Sequence, residues 1–219
     1  MKKNVIFSLM AAMLFGFAMM FSSCNSCNRT EEPVVEPVTE EQPVNLVVDS
    51  IVAVDFEAVH ELVDGSDDFR WYECGVVLQD YLDEECDGTV VEVGNVFQTV
   101  VERENGFDTY VIMTTHDTDT AYVNIVKSFW IEDFPLNNDI VTLISFDAAF
   151  ERLMEANCPK PHSKRAVLRK EIGPKQCNPQ WIFGNLESTV YVDAVTGEVR
   201  DFDPAFEGIT LETPLGEWP

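Results

Sequence analysis

Six cysteines offer the widest choice of chemistry in this chain, because a thiol can form a disulfide or carry a lipid. Cys74 and Cys86 lie close together in the sequence, and so do Cys158 and Cys177. Proximity therefore favours the bridges Cys74–Cys86 and Cys158–Cys177, although four cysteines allow three connectivities. Each bridge would stabilise the fold by about 2–4 kcal/mol through loop closure.

The start of the chain predicts the compartment that those thiols meet. Two lysines precede Val5–Phe21, a run of 17 residues without charge, and the small residues Ser22 and Ser23 then lead into Cys24. This layout is typical of a secretory signal, here residues 1–23. The alternative is an uncleaved N-terminal anchor, although a spanning helix needs about 20 residues. Export would bring the cysteines into an oxidising space.

The end of this signal resembles the lipobox of a bacterial lipoprotein. Phe21 stands where that pattern usually has leucine, and Cys24 stands at the position that receives the lipid. The resemblance implies lipidation of Cys24 and a membrane as the first partner of the chain, because several acyl chains hold a protein firmly. Cys27 is left as an odd thiol, which could form an intermolecular disulfide.

Charge and composition set the next expectations. The signal holds two of the 14 basic residues and none of the 39 acidic ones, so 12 basic residues face 39 acidic ones afterwards, a formal charge of −27. This argues against nucleic acid as a partner. Residues 24–45 are rich in Glu and Pro and contain no aromatic residue, which predicts a flexible tether.

The remaining candidate ligands and bases form no recognised motif. Three histidines, His60, His116 and His162, come from separate segments, and His60 lacks the second histidine of a zinc-protease motif. The acidic segment 64–68 could begin a helix–loop–helix calcium site, but Phe69 and Gly75 stand where such a loop needs Gly at its sixth position and Glu at its twelfth. Neither a nucleophile-elbow motif nor a phosphate-binding glycine loop occurs. We therefore expect no metal, no cofactor and no catalytic residue.

A basic cluster stands out against the acidic background. It holds six of those 12 basic residues within 16 positions, and only Glu171 opposes them there. One interpretation is a docking site for an acidic partner or a polyanionic glycan, and the other is charge balance within the protein. The residues are Lys160, Lys164, Arg165, Arg169, Lys170 and Lys175.

The secondary-structure elements that must position these residues are predicted to include both helices and strands. β-branched residues over Leu46–Val54 predict a strand, and a short helix is expected after Asp55. From residue 69 to residue 134 the pattern predicts a β-meander, with strands at 89–93, 97–101, 110–113 and 122–130. Asn105–Gly106 predicts a hairpin turn, since both residues tolerate positive φ. The sequence shows no internal repeat.

The C-terminal part has clearer signals. Ser145 is expected to cap a helix whose apolar residues recur from Phe146 to Met154. Strands are expected at 166–170, 181–184, 189–193 and 198–202. The fold class is therefore α+β, with a β-rich region at 46–138, a second unit at 139–203 and an irregular tail at 204–219.

Residues 143–202 resemble a PepSY-type domain. The resemblance rests on the helix FDAAFERLMEAN, the strand AVLRK and the segment VYVDAVTGEV. It implies a helix packed on an antiparallel sheet, and no catalytic residue. The whole chain is also similar to small acidic lipoproteins of Bacteroidota, which implies an outer-membrane location with either membrane face open. The matching turn residues are Asp193, Thr196, Gly197 and Glu198.

These observations predict a lipid-anchored, non-enzymatic module of the cell envelope that binds a protein or peptide. PepSY-like domains are associated with restraint of peptidases, which is one expected activity. A structural component of an envelope complex is the first alternative. A hydrolase with a carboxylate site is the second, because acidic residues are abundant.

Overall fold

The computed structural model describes residues 44–63, 69–128, 134–136 and 143–208. The predicted signal, Cys24, Cys27, the acidic segment 64–68 and the last residues of the tail lie outside this part of the chain. Two α-helices, eight strands and a short 3₁₀ helix are formed within it. They are α1 (Val48–Leu62), β1 (Arg70–Leu78), β2 (Val90–Arg103), β3 (Gly106–Asp117), β4 (Ala121–Lys127), α2 (Phe146–Glu155), β5 (Arg165–Arg169), β6 (Gln180–Gly184), β7 (Thr189–Asp193), β8 (Val199–Arg200) and the 3₁₀ helix Pro204–Phe206.

All eight strands form one antiparallel sheet in the order β4-β3-β2-β1-β5-β6-β7-β8. Strands β1–β4 make one meander, β5–β8 make another, and the two meet where β1 pairs with β5. Each meander follows one helix, so the chain builds a helix-and-four-strand unit twice. The predicted α+β class is confirmed. The sheet also continues across the boundary that the sequence suggested near residue 139.

Both helices pack on one side of the sheet, which we call the helix face. Phe146 of α2 meets the ring of Trp181 edge-on at 5.3 Å between centroids, and it lies 6.0 Å from Phe183. Val48 and Val59 of α1 belong to the same buried core. Because side chains alternate along a strand, the other half of the strand residues face away from the helices. We call that side the open face.

The first predicted strand is wrong. Leu46–Val54 was expected to be extended, but helix α1 begins at Val48 and continues to Leu62. Ile51 and Val52 pack against the core one turn after Val48, as the helical period requires. The β-branched residues favour strands, but burial of this helical stripe outweighs that local preference.

The predicted meander is correct in type, although its bounds differ. The two strands expected at 89–93 and 97–101 are one strand, β2, whose last residue, Arg103, pairs with Gly106. The expected hairpin is present, but its two turn residues are Glu104 and Asn105, and Gly106, with φ of +136°, is the first residue of β3. The helix after Ser145 is also confirmed, and Ser145 Oγ accepts a hydrogen bond of 3.0 Å from the Ala148 N–H. In the described ranges, no helix combines the length and the apolar character needed to cross a bilayer.

Candidate functional site

One row of residues crosses the open face from edge to edge, with one residue from every strand. Strand pairing places these residues side by side in a continuous register. We call this set the glycine row. In order from β4 to β8 it consists of Tyr122, Thr115, Gly94, Gly75, Val167, Ile182, Tyr191 and Arg200.

Gly75 and Gly94 pair with each other at the centre of this row. Neither of them is among the glycines with positive φ, so their backbone conformation does not require glycine. A Cβ atom added to Gly75 would have the Gly94 carbonyl oxygen as its nearest neighbour at 3.8 Å, an ordinary contact. Glycine inside a strand costs roughly 0.5–1 kcal/mol relative to alanine. Folding therefore does not explain Gly75.

The paired glycines leave bare backbone as the floor of a shallow groove with a volume of about 830 Å³. Its walls are partly apolar, with Val96 and Met113 on one side and Val167 on the other. Tyr191 stands further along the row, where burial, with Asp203 and Glu171 nearby, raises its pKa to about 12. A glycine in a strand often marks a place where another backbone or a ligand approaches closely. The groove has the form of such a place.

The groove is polarised by charge. Val77 pairs with Glu92 on one side and with Arg165 on the other, and both charged residues are exposed. The acidic wall therefore belongs to β2 and the basic wall to β5. Arg169 lies on the same side of β5 as Arg165, and its Nε donates a hydrogen bond of 3.0 Å to Glu171 Oε1. The groove thus combines a floor of bare backbone, apolar side chains beside it and opposite charges at Glu92 and Arg165.

A hydrogen-bonded turn between β6 and β7 presents a leucine at the rim of the groove. Leu186 is fully exposed. Asn185 Oδ1 holds the turn by accepting hydrogen bonds from the N–H groups of Glu187, at 2.8 Å, and Ser188, at 3.2 Å. Gly184 has φ of +134°, and a Cβ there would lie 2.2 Å from the Ser188 oxygen. The turn therefore requires glycine, in contrast to Gly75.

The structure separates the predicted basic cluster. Arg165 and Arg169 share the open face, whereas three of the lysines are engaged elsewhere. Lys160 Nζ donates to the Ala156 carbonyl at 2.8 Å, at the end of α2. Lys164 Nζ donates to the Gln79 carbonyl and lies 5.0 Å from the centre of the Tyr81 ring. Lys175 forms an ion pair with Glu207, while Lys170 directly follows β5.

The four described cysteines are free thiols in this structure. Cys74 and Cys86 are buried, and Cys158 and Cys177 are half-buried. Burial raises the pKa of Cys74 far above its ordinary value, and it also raises the pKa of Cys86 and Cys177. These three thiols are therefore protonated at neutral pH. The bridges Cys74–Cys86 and Cys158–Cys177 stay predictions.

The turn residues of the C-terminal motif surround Asp193. Its Oδ1 accepts hydrogen bonds from the N–H groups of Val195, at 2.9 Å, and Thr196, at 2.8 Å. Burial acts to raise the pKa of Asp193, but these bonds and those from the Asn178 amide outweigh it and hold the pKa below its ordinary value. Gly197 has φ of +75°, and the Asp193 N–H donates to the Glu198 carbonyl. Asp193 thus organises the β7–β8 connection.

Sequence reasoning missed a buried polar network beneath α1. Asp55 is 4% exposed. It accepts hydrogen bonds from Asn95 Nδ2 at 2.8 Å and from Thr114 Oγ1 at 2.5 Å, and His116 Nε2 lies 2.7 Å from its other oxygen. Because the Thr114 hydroxyl donates to Asp55 and not to His116, the set is not a nucleophile relay. The signal for it is Asp55 on the buried side of α1, a residue that was expected to precede a shorter helix.

The other two histidines lie apart from this network. His60 lies 5.5 Å from the Phe69 ring, and His162 stacks on Tyr81 at 4.2 Å between ring centres. Across the described ranges, no group of three or more His, Cys, Asp or Glu side chains is arranged to hold a metal ion. The chain matches no known protein family, no curated protein and no solved structure.

Proposed function

We propose that this protein is a non-enzymatic binding module that holds a protein partner on the open face of its sheet. The observation that carries the proposal is Gly75 at the centre of the glycine row. Gly75 could be alanine without a steric conflict, and yet the chain keeps bare backbone at the centre of the glycine row. A partner that approaches this backbone closely would explain the glycine, because any side chain there would occupy its space.

The partner has a definable chemistry. An extended segment or loop that crosses the strands would place apolar side chains over Val167 and Met113. A basic group would face Glu92, and an acidic group would face Arg165. Aromatic residues are enriched at protein interfaces, and Tyr122 and Tyr191 stand toward the two ends of the row. Leu186 adds an exposed apolar contact at the rim.

The narrower form of the proposal is restraint of a peptidase. It rests on the resemblance of residues 143–202 to PepSY-type domains, and α2 with β5–β8 supplies the helix and antiparallel strands that such a unit requires. If a loop of the peptidase were bound across the open face, the peptidase could not use that loop to engage its substrates. Stoichiometric inhibition of a peptidase exported by the same cell is the expected activity.

The proposed location follows from Cys24. A lipid on this residue, followed by the Glu- and Pro-rich tether, would keep the open face within about one tether length of a membrane. The expected partner is therefore another envelope protein. Replacement of Cys24 by alanine should move the protein from the membrane fraction to the soluble fraction. Continued sedimentation of Cys24→Ala with membranes would contradict the anchor.

The docking proposal is tested by recovering partners with the full-length lipidated protein and with Gly75→Val. Valine suits a strand and fills the floor of the groove. The matched control is Ala121→Val, which adds similar bulk to an exposed strand residue that faces away from the groove. We expect Gly75→Val to lose a protein that both the parent chain and Ala121→Val recover. Equal recovery by all three proteins would overturn the proposal.

A further inference from the structure

The edge of the sheet at β4 differs from a typical exposed edge. All seven residues of β4 are exposed, and apolar side chains occupy both of its faces. Val123 and Ile125 lie on the helix face, at 55% and 49% exposure, and Tyr122 and Val126 lie on the open face. Natural edge strands are usually short or interrupted by charge or proline, since an open edge is a template for another strand.

The backbone of β4 has a defined outward side. The Asp117 N–H donates to the Thr120 carbonyl, and the Ser128 N–H donates to the Thr109 carbonyl, so Thr120 and Ser128 turn their backbone groups toward β3. Hydrogen bonding in an antiparallel pair alternates from one residue to the next. Tyr122, Asn124 and Val126 therefore also bond toward β3. Val123 and Ile125 direct their backbone N–H and C=O groups outward.

The strand is complementary to itself. In an antiparallel pair of two β4 strands centred on Asn124, each Val123 lies opposite Ile125 of the second copy. Both of these residues carry outward backbone groups, so the two symmetric pairs exchange about four hydrogen bonds. Tyr122 then lies beside Val126 on the open face, and Asn124 meets its own counterpart. Apolar residues thus meet apolar residues on both faces.

Charge also favours a second copy at this edge. A chain with 39 acidic residues has none between residues 121 and 128. Two copies of such an acidic protein repel each other over most of their surfaces, and they approach at lowest cost where both lack acidic residues. We infer that β4 pairs with β4 of a second copy, in the register centred on Asn124, and joins the two sheets edge to edge.

The dimer should be weak and strengthened by salt. Seven residues per copy are far fewer than the roughly 20–30 residues per side of a standard interface. We expect sedimentation of the full chain to show a dimer fraction that rises with protein concentration. It should also rise with salt, because salt screens the repulsion between the acidic bodies.

Two substitutions test the hydrogen bonds and the apolar contact. Val123→Pro removes an N–H that β3 does not use, so the sheet should remain folded while association weakens by at least about tenfold. Ile125→Lys places a charge on the edge and should have the same effect. The control is Val54→Lys, which removes an equally exposed valine from α1 and should associate like the parent chain. Unchanged association of Val123→Pro would contradict the inference.

A cross-link tests the register directly. In this pairing the two Asn124 residues form a non-hydrogen-bonded pair with Cα atoms about 4.5 Å apart, within the range of a disulfide. Asn124→Cys should therefore give a covalent dimer on mild oxidation, with the bridge at residue 124 identified by mass spectrometry. Tyr122→Cys is the control, because two copies of residue 122 would lie about 13 Å apart along the strands.

The outcomes are distinct. A bridge at residue 124 that Tyr122→Cys does not reproduce supports the self-paired edge. Equal bridging by both variants, or a chain that stays monomeric at all concentrations and forms no bridge at residue 124, overturns it. The docking proposal for the open face does not depend on either result.

Discussion

On the helix face of the sheet, Trp181 and Phe183 are buried beneath α2, whereas on the open face Gly75 and Gly94 leave the backbone bare. Folding accounts for Trp181 and Phe183, because both side chains fill the core beneath α2. It does not account for Gly75, whereas a Cβ atom on Gly94 would lie 3.3 Å from the Thr114 carbonyl oxygen, a tight contact that favours glycine there. The contrast teaches that a residue without a folding reason is a better guide to function in this protein than an abundant residue type such as the carboxylates.

The largest expected effect lies on the helix face. Trp181 is 2% exposed, and its Nε1 donates a hydrogen bond of 3.3 Å to the Ile144 carbonyl. Trp181→Ala should lower the free energy of unfolding by about 3–5 kcal/mol, since it opens a cavity next to Phe146. Urea unfolding measures this change. A loss below about 1 kcal/mol would mean that α2 does not pack on this face as described.

The next effect concerns the polar network of the helix face. Asp55→Ala removes the acceptor of the buried Asn95 and Thr114 donors, and each unsatisfied group costs about 1–3 kcal/mol. We expect the free energy of unfolding to fall by about 2–4 kcal/mol. Asp55→Asn is the control, because it retains one acceptor oxygen and should lose less. Equal losses for the two variants would contradict the hydrogen-bonding account.

A smaller effect should depend on pH. The folded protein holds the pKa of Asp193 below its ordinary value, so this carboxylate stabilises the fold above the unfolded pKa of about 3.9 and loses that contribution as pH falls through the folded value. Asp193→Asn lacks the contribution at every pH. The difference in Tm between the parent chain and Asp193→Asn should therefore shrink from pH 7 to pH 3. A constant difference would contradict this assignment.

The sequence predicted the elements whose signals are local. Helix α2 follows from Ser145 and an apolar stripe, and the β2–β3 turn follows from Asn105 and Gly106, because capping and positive φ are properties of a few neighbouring residues. The first half of α1 was expected to be a strand because it is rich in β-branched residues, whereas the helix expected after Asp55 corresponds to its second half. In both cases the local composition decided the prediction.

The candidate site could not be predicted because it depends on long-range register. Gly75 and Gly94 are unremarkable in the sequence and become a pair only when β1 and β2 align. The same holds for Glu92 and Arg165. They lie on opposite walls of the groove because each pairs with Val77 from a different neighbouring strand. The repeated helix-and-four-strand unit was equally hidden, because the two halves share an arrangement of elements and not a sequence pattern.

The most direct test of the central claim is the stability of Gly75→Val, which can be measured before any partner is known. If Gly75 serves binding and not folding, Gly75→Val should be at least as stable as the parent chain. Urea unfolding should give a free energy of unfolding that is unchanged or higher by up to about 1 kcal/mol. A loss of more than about 1 kcal/mol would show that the fold itself requires this glycine. That result would contradict the assignment of the open face as the binding face.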